Sequence, residues 1–228
     1  MSIQVNAYRG NRSFVRRQGR LTAGQQRALD DYWRYYGLQA QDRVYDWDSV
    51  YGRAAPRILE IGFGNGDSLF SMAQQYPEYD FIGIEVHRPG VGHLLLRAAE
   101  ADLCNIRVFC ADAVPLLKAC IANVSLARVQ IFFPDPWPKK KHHKRRLIQP
   151  EFVALLAAKL QFDGVLHVAT DWDHYAEHIQ ATFMTSTEFS TSTMQSFAGL
   201  YLERPLTKYE RRGKRLGHTV HDLITRRC

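Results

Sequence analysis

Five short apolar runs recur along the chain, at 58–61, 81–86, 106–110, 129–133 and 165–169, and the stretches between them carry a helical rhythm. That rhythm appears near 67–76, 91–103, 113–121, 149–161 and 173–184. A continuous apolar run offers no polar face to water, so a strand built from it must be covered on both sides. Such strands alternating with helices predict a mostly parallel, doubly wound α/β sheet. In that architecture ligands are expected at the carboxyl ends of the strands. A last stretch, roughly 219–225, is expected to add an antiparallel edge strand. Ahead of the first run, Leu29, Tyr32, Trp33 and Tyr36 recur at helical spacing, with Thr22 as N-cap and Gly37 as the stop. The expected organisation is a basic, flexible arm over 1–21 and one domain over 22–228.

Composition narrows the class. Apolar residues make up 46% of the 228, enough for a real core. No stretch approaches the roughly 20 apolar residues of a membrane span, and the arginine-rich start has no apolar segment after it, so a secretory signal is not expected. Cys104, Cys110, Cys120 and Cys228 lack any C-x-x-C spacing and read as reduced thiols of a cytoplasmic protein. The nine histidines show no metal-ligand spacing, and no metal is expected.

Charge is concentrated rather than spread. Lys139, Lys140, Lys141, Lys144, Arg145 and Arg146 lie together without an acid, nearly accounting for the net charge of +7. Arg9, Arg12, Arg16, Arg17 and Arg20 crowd the start, and the segment from Arg204 holds eight basic residues against Glu210 and Asp222. One basic run is usually a solvated face; three clusters point to a polyanionic partner.

The first apolar run leads into Glu60-Ile61-Gly62-Phe63-Gly64-Asn65-Gly66-Asp67. Glycines at 62, 64 and 66 let the backbone turn sharply after a strand and approach a ligand, with the next helix aiming its free N–H groups into the same space. A dinucleotide fingerprint needs its third glycine at 67, where this chain has Asp67. Glu85 ends the second strand, where an acid accepts hydrogen bonds from a ribose diol. Asp112 follows the third strand and reads equally as an adenine contact or as a helix N-cap. Acids at 60, 85 and 112 along one sheet edge suit a cationic sulfonium cofactor, S-adenosylmethionine, better than an anionic pyrophosphate.

After the fourth run comes Pro134-Asp135-Pro136-Trp137-Pro138, continuing directly into the basic run. Two prolines limit the backbone freedom of Asp135, which makes it the candidate catalytic acid. The bland alternative is a proline-rich surface turn.

These residues carry a resemblance over nearly the whole chain. Arg12-Ser13-Phe14-Val15 with Gln18-Gly19-Arg20, the glycine turn at 60–66, Pro-Asp-Pro-Trp-x-Lys at 134–139, His-x-Lys-Arg-Arg ending at Arg146, Thr170-Asp171, and Thr207-Lys208-Tyr209-Glu210 followed by Arg212-Gly213 are similar to the bacterial single-chain tRNA (guanine-N7)-methyltransferases. Lys141 stands where that family often has arginine. The resemblance implies a Rossmann-like sheet of the class I methyltransferase type and a cofactor bordered by Glu60, Glu85, Asp112 and Asp135. It implies that Lys139, Asp171 and Thr207, Lys208, Tyr209 and Glu210 handle the target guanosine, that of the variable loop, position 46 in standard tRNA numbering. By the same correspondence Lys141, His142, His143, Lys144, Arg145 and Arg146 contact the tRNA backbone. Asp171 or Glu210 is expected to accept from guanine N1–H and the 2-amino group, while Trp137 and Tyr209 are candidates to stack a splayed base. No obligatory protein partner is expected, and the chain reads as a monomer or homodimer.

Three rivals stand beside this reading. A nicotinamide oxidoreductase on the same sheet is disfavoured by the missing fingerprint glycine. A non-catalytic RNA-binding module is disfavoured by the intact acid set. A methyltransferase acting on another atom of RNA differs only in its target.

Overall fold

The computed structural model describes residues 19–190, 203–205, 210 and 219–228. The arm at 1–18 and Thr207, Lys208 and Tyr209 lie outside the described residues.

Helix α1 (Ala23–Tyr36) opens with a capping box: the Thr22 hydroxyl accepts the Gln25 N–H at 3.2 Å while the Gln25 side chain accepts the Thr22 N–H at 2.9 Å. It stops at Gly37, as the sequence predicts. Two short elements follow that periodicity is too coarse to detect, β1 (Gly37–Leu38) and α2 (Trp47–Tyr51).

The alternation then unfolds as expected: β2 (Arg57–Ile61), α3 (Asp67–Gln75), β3 (Asp80–Glu85), α4 (Arg88–Glu100), β4 (Ile106–Cys110), α5 (Ala113–Cys120) and β5 (Leu126–Phe132). A 3₁₀ segment (Lys140–Arg145) leads to α6 (Pro150–Lys159), β6 (Leu160–Thr170), α7 (Asp173–Met184), β7 (Phe189–Ser190) and β8 (His221–Arg227). Helix α4 begins three residues before the expected 91, because Pro89 has the φ of a first helical turn and lacks only an N–H that would be unpaired there.

The strands order as β1-β4-β3-β2-β5-β6-β8-β7, with the β1 to β6 pairings parallel. β8 pairs antiparallel with β6, as anticipated, but it does not end the sheet. Phe189 and Ser190 pair with Arg227 and Arg226 on its far side. A two-residue strand leaves no alternation in the sequence to read.

Strands β2, β3 and β4 divide their side chains between two cores, because successive residues point to opposite faces, while β5 and β6 supply the first of these cores. Leu59, Ile61, Ile82, Ile84, Val129, Ile131, Leu166 and Val168 pack with α5, α6 and α7. Ile58, Phe81, Ile106 and Val108 pack with α1, α3 and α4. Each such buried aliphatic side chain stabilises the fold by about 1.5–3 kcal/mol. From β2, successive strands run outward one way through β3 and β4 and the other way through β5 and β6. The chain reverses direction across the sheet between β2 and β5, and a crevice opens there.

Candidate active site

The glycine turn sits at this switch point. The Gly62 N–H extends the β2–β3 ladder by donating to the Ile84 carbonyl at 2.8 Å. Gly62, Gly64 and Gly66 then take φ values of 75°, 58° and 79°. L side chains rarely adopt such φ, so the three-glycine spacing is a backbone requirement here. Gly66 is the N-cap of α3, so the free N–H groups of that helix open onto the turn.

Glu85 is built into this turn. Its Oε2 accepts the Gly64 N–H at 2.7 Å, and its Oε1 accepts the Val86 and His87 N–H groups at 2.6 and 2.9 Å. Gly90, from the first turn of α4, presses on the same loop. A Cβ at position 90 would lie 2.0 Å from the Gly64 carbonyl oxygen. Nothing in the local sequence marks Gly90 out; only the approach of α4 to the turn does.

Glu60 lies beneath the turn, buried, and accepts from Gln130 Nε2 at 2.7 Å. Burial pushes its carboxyl up from the ordinary 4.5 to about 7, against that hydrogen bond and the pull of Arg128. Asp112 is the N-cap of α5, its Oδ1 accepting the Val114 N–H at 3.1 Å. Capping and ligand contact are compatible, since a carboxylate has about four acceptor sites. Asp135 and Asp171 follow β5 and β6, which brings both to the same carboxyl edge as Glu60, Glu85 and Asp112. Asp171 is half-buried and is not the cap of α7, a position held by Trp172.

The Asp135 turn is held in an unusual backbone. Phe133 and Trp137, on either side of Pro134-Asp135-Pro136, have φ of 54° and 45°. Bulky residues persist in that region only where their surroundings impose it, and such outliers concentrate at functional sites. Trp137 stacks on His142 with ring centroids 5.7 Å apart, and the Arg145 guanidinium lies 5.1 Å from the Trp137 ring. The indole is therefore already part of a stack within the basic segment.

The basic run divides in two. Lys139, Lys141 and Lys144 are exposed and His142, His143 and Arg145 half-buried, on the segment that follows the Asp135 turn directly. Arg146 is buried, with 4% of its surface exposed. The phosphate role expected of it does not fit this position, because its guanidinium is bonded to the Pro136 and His174 carbonyls.

Glu210 also departs from expectation. It is buried and ion-paired with Arg204 Nη1, so it does not present a free carboxylate to a base. Arg204 in turn donates from Nε and Nη2 to the two Asp222 oxygens at 2.6 and 2.8 Å. Asp222 accepts from His167 Nε2 at 2.6 Å, and Arg128 donates to His167 Nδ1 at 2.7 Å. Burial lowers the His167 pKa from 6.5 to about 4 despite the Asp222 bond, so the ring is the neutral Nε2–H tautomer. Burial of Asp222 acts to raise its carboxyl, but the bonds from His167 and Arg204 prevail and hold it far below the usual range. This buried chain of polar groups crosses from β5 to β8 and ends on Glu210. Sequence spacing carries no signal for it, since His167 and Asp222 are 55 residues apart.

A doubly wound sheet with a positive-φ glycine turn at its switch point, and acids along the same edge, defines an enzyme of the class I methyltransferase type. A family described as "Putative methyltransferase" matches residues 54–223. The tRNA (guanine-N(7)-)-methyltransferase of Alcanivorax borkumensis is 55% identical over 214 residues, 93% of this chain and 90% of that one. The protein of the same name from Halorhodospira halophila is 54% identical over 220 residues, 96% of this chain and 95% of that one. This chain belongs to the bacterial tRNA (guanine-N7)-methyltransferase family. Among solved structures, the 16S rRNA methyltransferase KamB shares the fold with a TM-score of 0.57 at 16% identity, over 84% of this chain and 97% of that one. A 16S rRNA (adenine(1408)-N(1))-methyltransferase from Catenulisporales acidiphilia, determined with SAM, gives 0.51 at 14% identity, over 83% of this chain and 95% of that one.

Proposed function

We propose that this chain transfers a methyl group from S-adenosylmethionine to N7 of a guanosine in tRNA, that of the variable loop. The observation that carries the reading is the convergence at one sheet edge. The glycine turn pinned by Glu85 and the proline-bracketed Asp135 follow parallel strands that end at the same edge, and the exposed cations of 139–145 follow Asp135 directly in the chain.

The residues fit the cofactor. Three positive-φ glycines let the backbone approach a ligand closely, and acids gather at the strand ends beside them, which suits a sulfonium and opposes a pyrophosphate. Glu60, Glu85, Asp112 and Asp135 are the residues that would border it. When bound, it supplies an electrophilic methyl group.

Guanine N7 has a free lone pair, so no base is needed to remove a proton before attack. The work left to the protein is alignment, and alignment alone can supply much of the acceleration. Asp135 orients the guanine and stabilises the positive charge that develops on its imidazole ring. Asp171, half-buried at the end of β6, accepts from the guanine N1–H and 2-amino group. Lys139 and the exposed members of 141–145 grip phosphates, and His142 and His143 add contacts there. Glu210 pairs with Arg204 and takes no direct part in binding the base. The chain works in the cytoplasm without an obligatory protein partner, as a monomer or homodimer.

The test is methyl transfer from labelled S-adenosylmethionine to unmodified tRNA, with the labelled nucleoside identified and its position mapped. Label in 7-methylguanosine of the variable loop supports the reading. Label in another nucleoside moves the target, and none on any RNA, with cofactor bound, leaves the RNA-binding alternative.

A further inference from the structure

Arg146 closes the most basic stretch of the chain, yet its side chain belongs to the interior. Its Nε donates to the Pro136 carbonyl at 2.9 Å and its Nη1 to the His174 carbonyl at 3.4 Å, while Nη2 is buried. The guanidinium lies 4.9 Å from the centre of the Tyr175 ring. That ring is fully buried, and its hydroxyl accepts the Ile148 N–H at 3.2 Å. Nη2 has no hydrogen-bond partner among the described residues, and with 4% of the residue exposed Arg146 offers little surface to a phosphate.

What Arg146 holds is the turn next to the reacting groups. Pro136 follows Asp135 directly, and its carbonyl belongs to the peptide unit that leads into Trp137, the residue in the left-handed region. Two prolines fix φ at 134 and 136 but leave ψ free, so they do not by themselves set where the Asp135 carboxylate points. A planar guanidinium bonded to the Pro136 carbonyl, set over a buried tyrosine and tied to α7 restricts that freedom.

We propose that Arg146 is a positioning residue that sets the Asp135 turn from within, and that it makes no phosphate contact with RNA. The proposal rests on the reading of Asp135 and of residues 139–145 given above. The basic run then holds two kinds of cation, an outer set that grips the nucleic acid and one inner arginine that aims the acid.

The experiment compares the wild-type chain with Arg145→Gln, Arg146→Gln and Arg146→Lys. Binding of an unmodified tRNA transcript is measured across a range of salt concentrations, and steady-state methylation gives kcat and KM. Each phosphate contact contributes about one to the slope of log affinity against log salt. Arg145→Gln is expected to reduce that slope by about one. Arg146→Gln is expected to leave the slope at the wild-type value and lower kcat by about 10–100-fold, the cost of misplacing a reacting group. Arg146→Lys keeps the charge without the planar fork and is expected to leave kcat depressed. A slope reduced by about one in Arg146→Gln and restored in Arg146→Lys would overturn the proposal, as would wild-type kcat in Arg146→Lys. Should Arg146→Gln fail to fold, Arg146→Lys decides alone, with kcat depressed at wild-type slope in favour and kcat unchanged against. A wild-type chain that methylates no tRNA would sink the enzymatic reading and the kcat arm with it. An unaltered slope in Arg145→Gln would sink only the phosphate role of the outer set.

Discussion

The carboxylate of Glu85 accepts the Gly64 N–H at 2.7 Å, so the acid at the end of β3 is also the pin that shapes the glycine turn after β2. An acid at that place reads from sequence as a ribose contact. The structure gives it a second role, satisfying three backbone donors before any ligand arrives. Replacing Glu85 with alanine is expected to lower stability by about 2 kcal/mol through those unpaired N–H groups, and to abolish cofactor binding. Urea denaturation and calorimetric titration with S-adenosylmethionine check the two effects separately. Intact binding in the alanine variant would refute the ligand role.

Gly90 offers a way to disturb the turn without touching an acid. A methyl group there would meet the Gly64 carbonyl at 2.0 Å; the carbonyl is backbone and a Cβ is fixed by its own backbone, so neither can swing aside. Gly90→Ala is expected to weaken cofactor binding at least about tenfold while the chain stays folded, because α4 must back away from the turn. The ratio of cofactor dissociation constants, alongside a thermal melt, decides this.

Two buried groups push the pH dependence of stability in opposite directions. Glu60 titrates near 7 in the folded chain against 4.5 when unfolded, so its contribution is full below 4.5 and lost as pH rises to 7. His167 titrates near 4 when folded against 6.5 unfolded, so its contribution is full above 6.5 and lost as pH falls to 4. Each is worth roughly 3 kcal/mol at the extremes, and between 4.5 and 6.5 the two slopes offset one another. Glu60→Gln is expected to unmask a loss of stability on acidification through that window. Urea titrations at several pH values test this; the same flat profile in the variant would contradict it.

Asp135→Ala is expected to lower methyl transfer by about 10²–10³-fold with tRNA affinity nearly unchanged, since the role proposed for the acid is on the base as charge develops and not on the phosphates. Single-turnover methylation and filter binding separate these. Unaltered turnover would remove Asp135 from the chemistry.

The alternation of apolar runs with helical stretches made the doubly wound sheet legible in the sequence, because periods of 2 and 3.6 are local properties of the backbone. The glycine spacing at 62, 64 and 66, the helix stop at Gly37 and the acids at the ends of strands were legible for the same reason: each answers to its neighbours in the chain. What the tertiary structure alone decided concerns direction and distant partners. Arg146 sits in sequence among cations that the fold leaves exposed or half-buried, but its own side chain lies on Pro136 and Tyr175. Glu210 reads as a base-binding acid, but Arg204 and Asp222, brought together beside β6, hold it inside. Gly90 reads as an ordinary helix residue until α4 is laid against the turn at Gly64. Residue type sets which interactions a side chain can make; packing of segments far apart in the chain selects which of them it makes, and no local period records that choice.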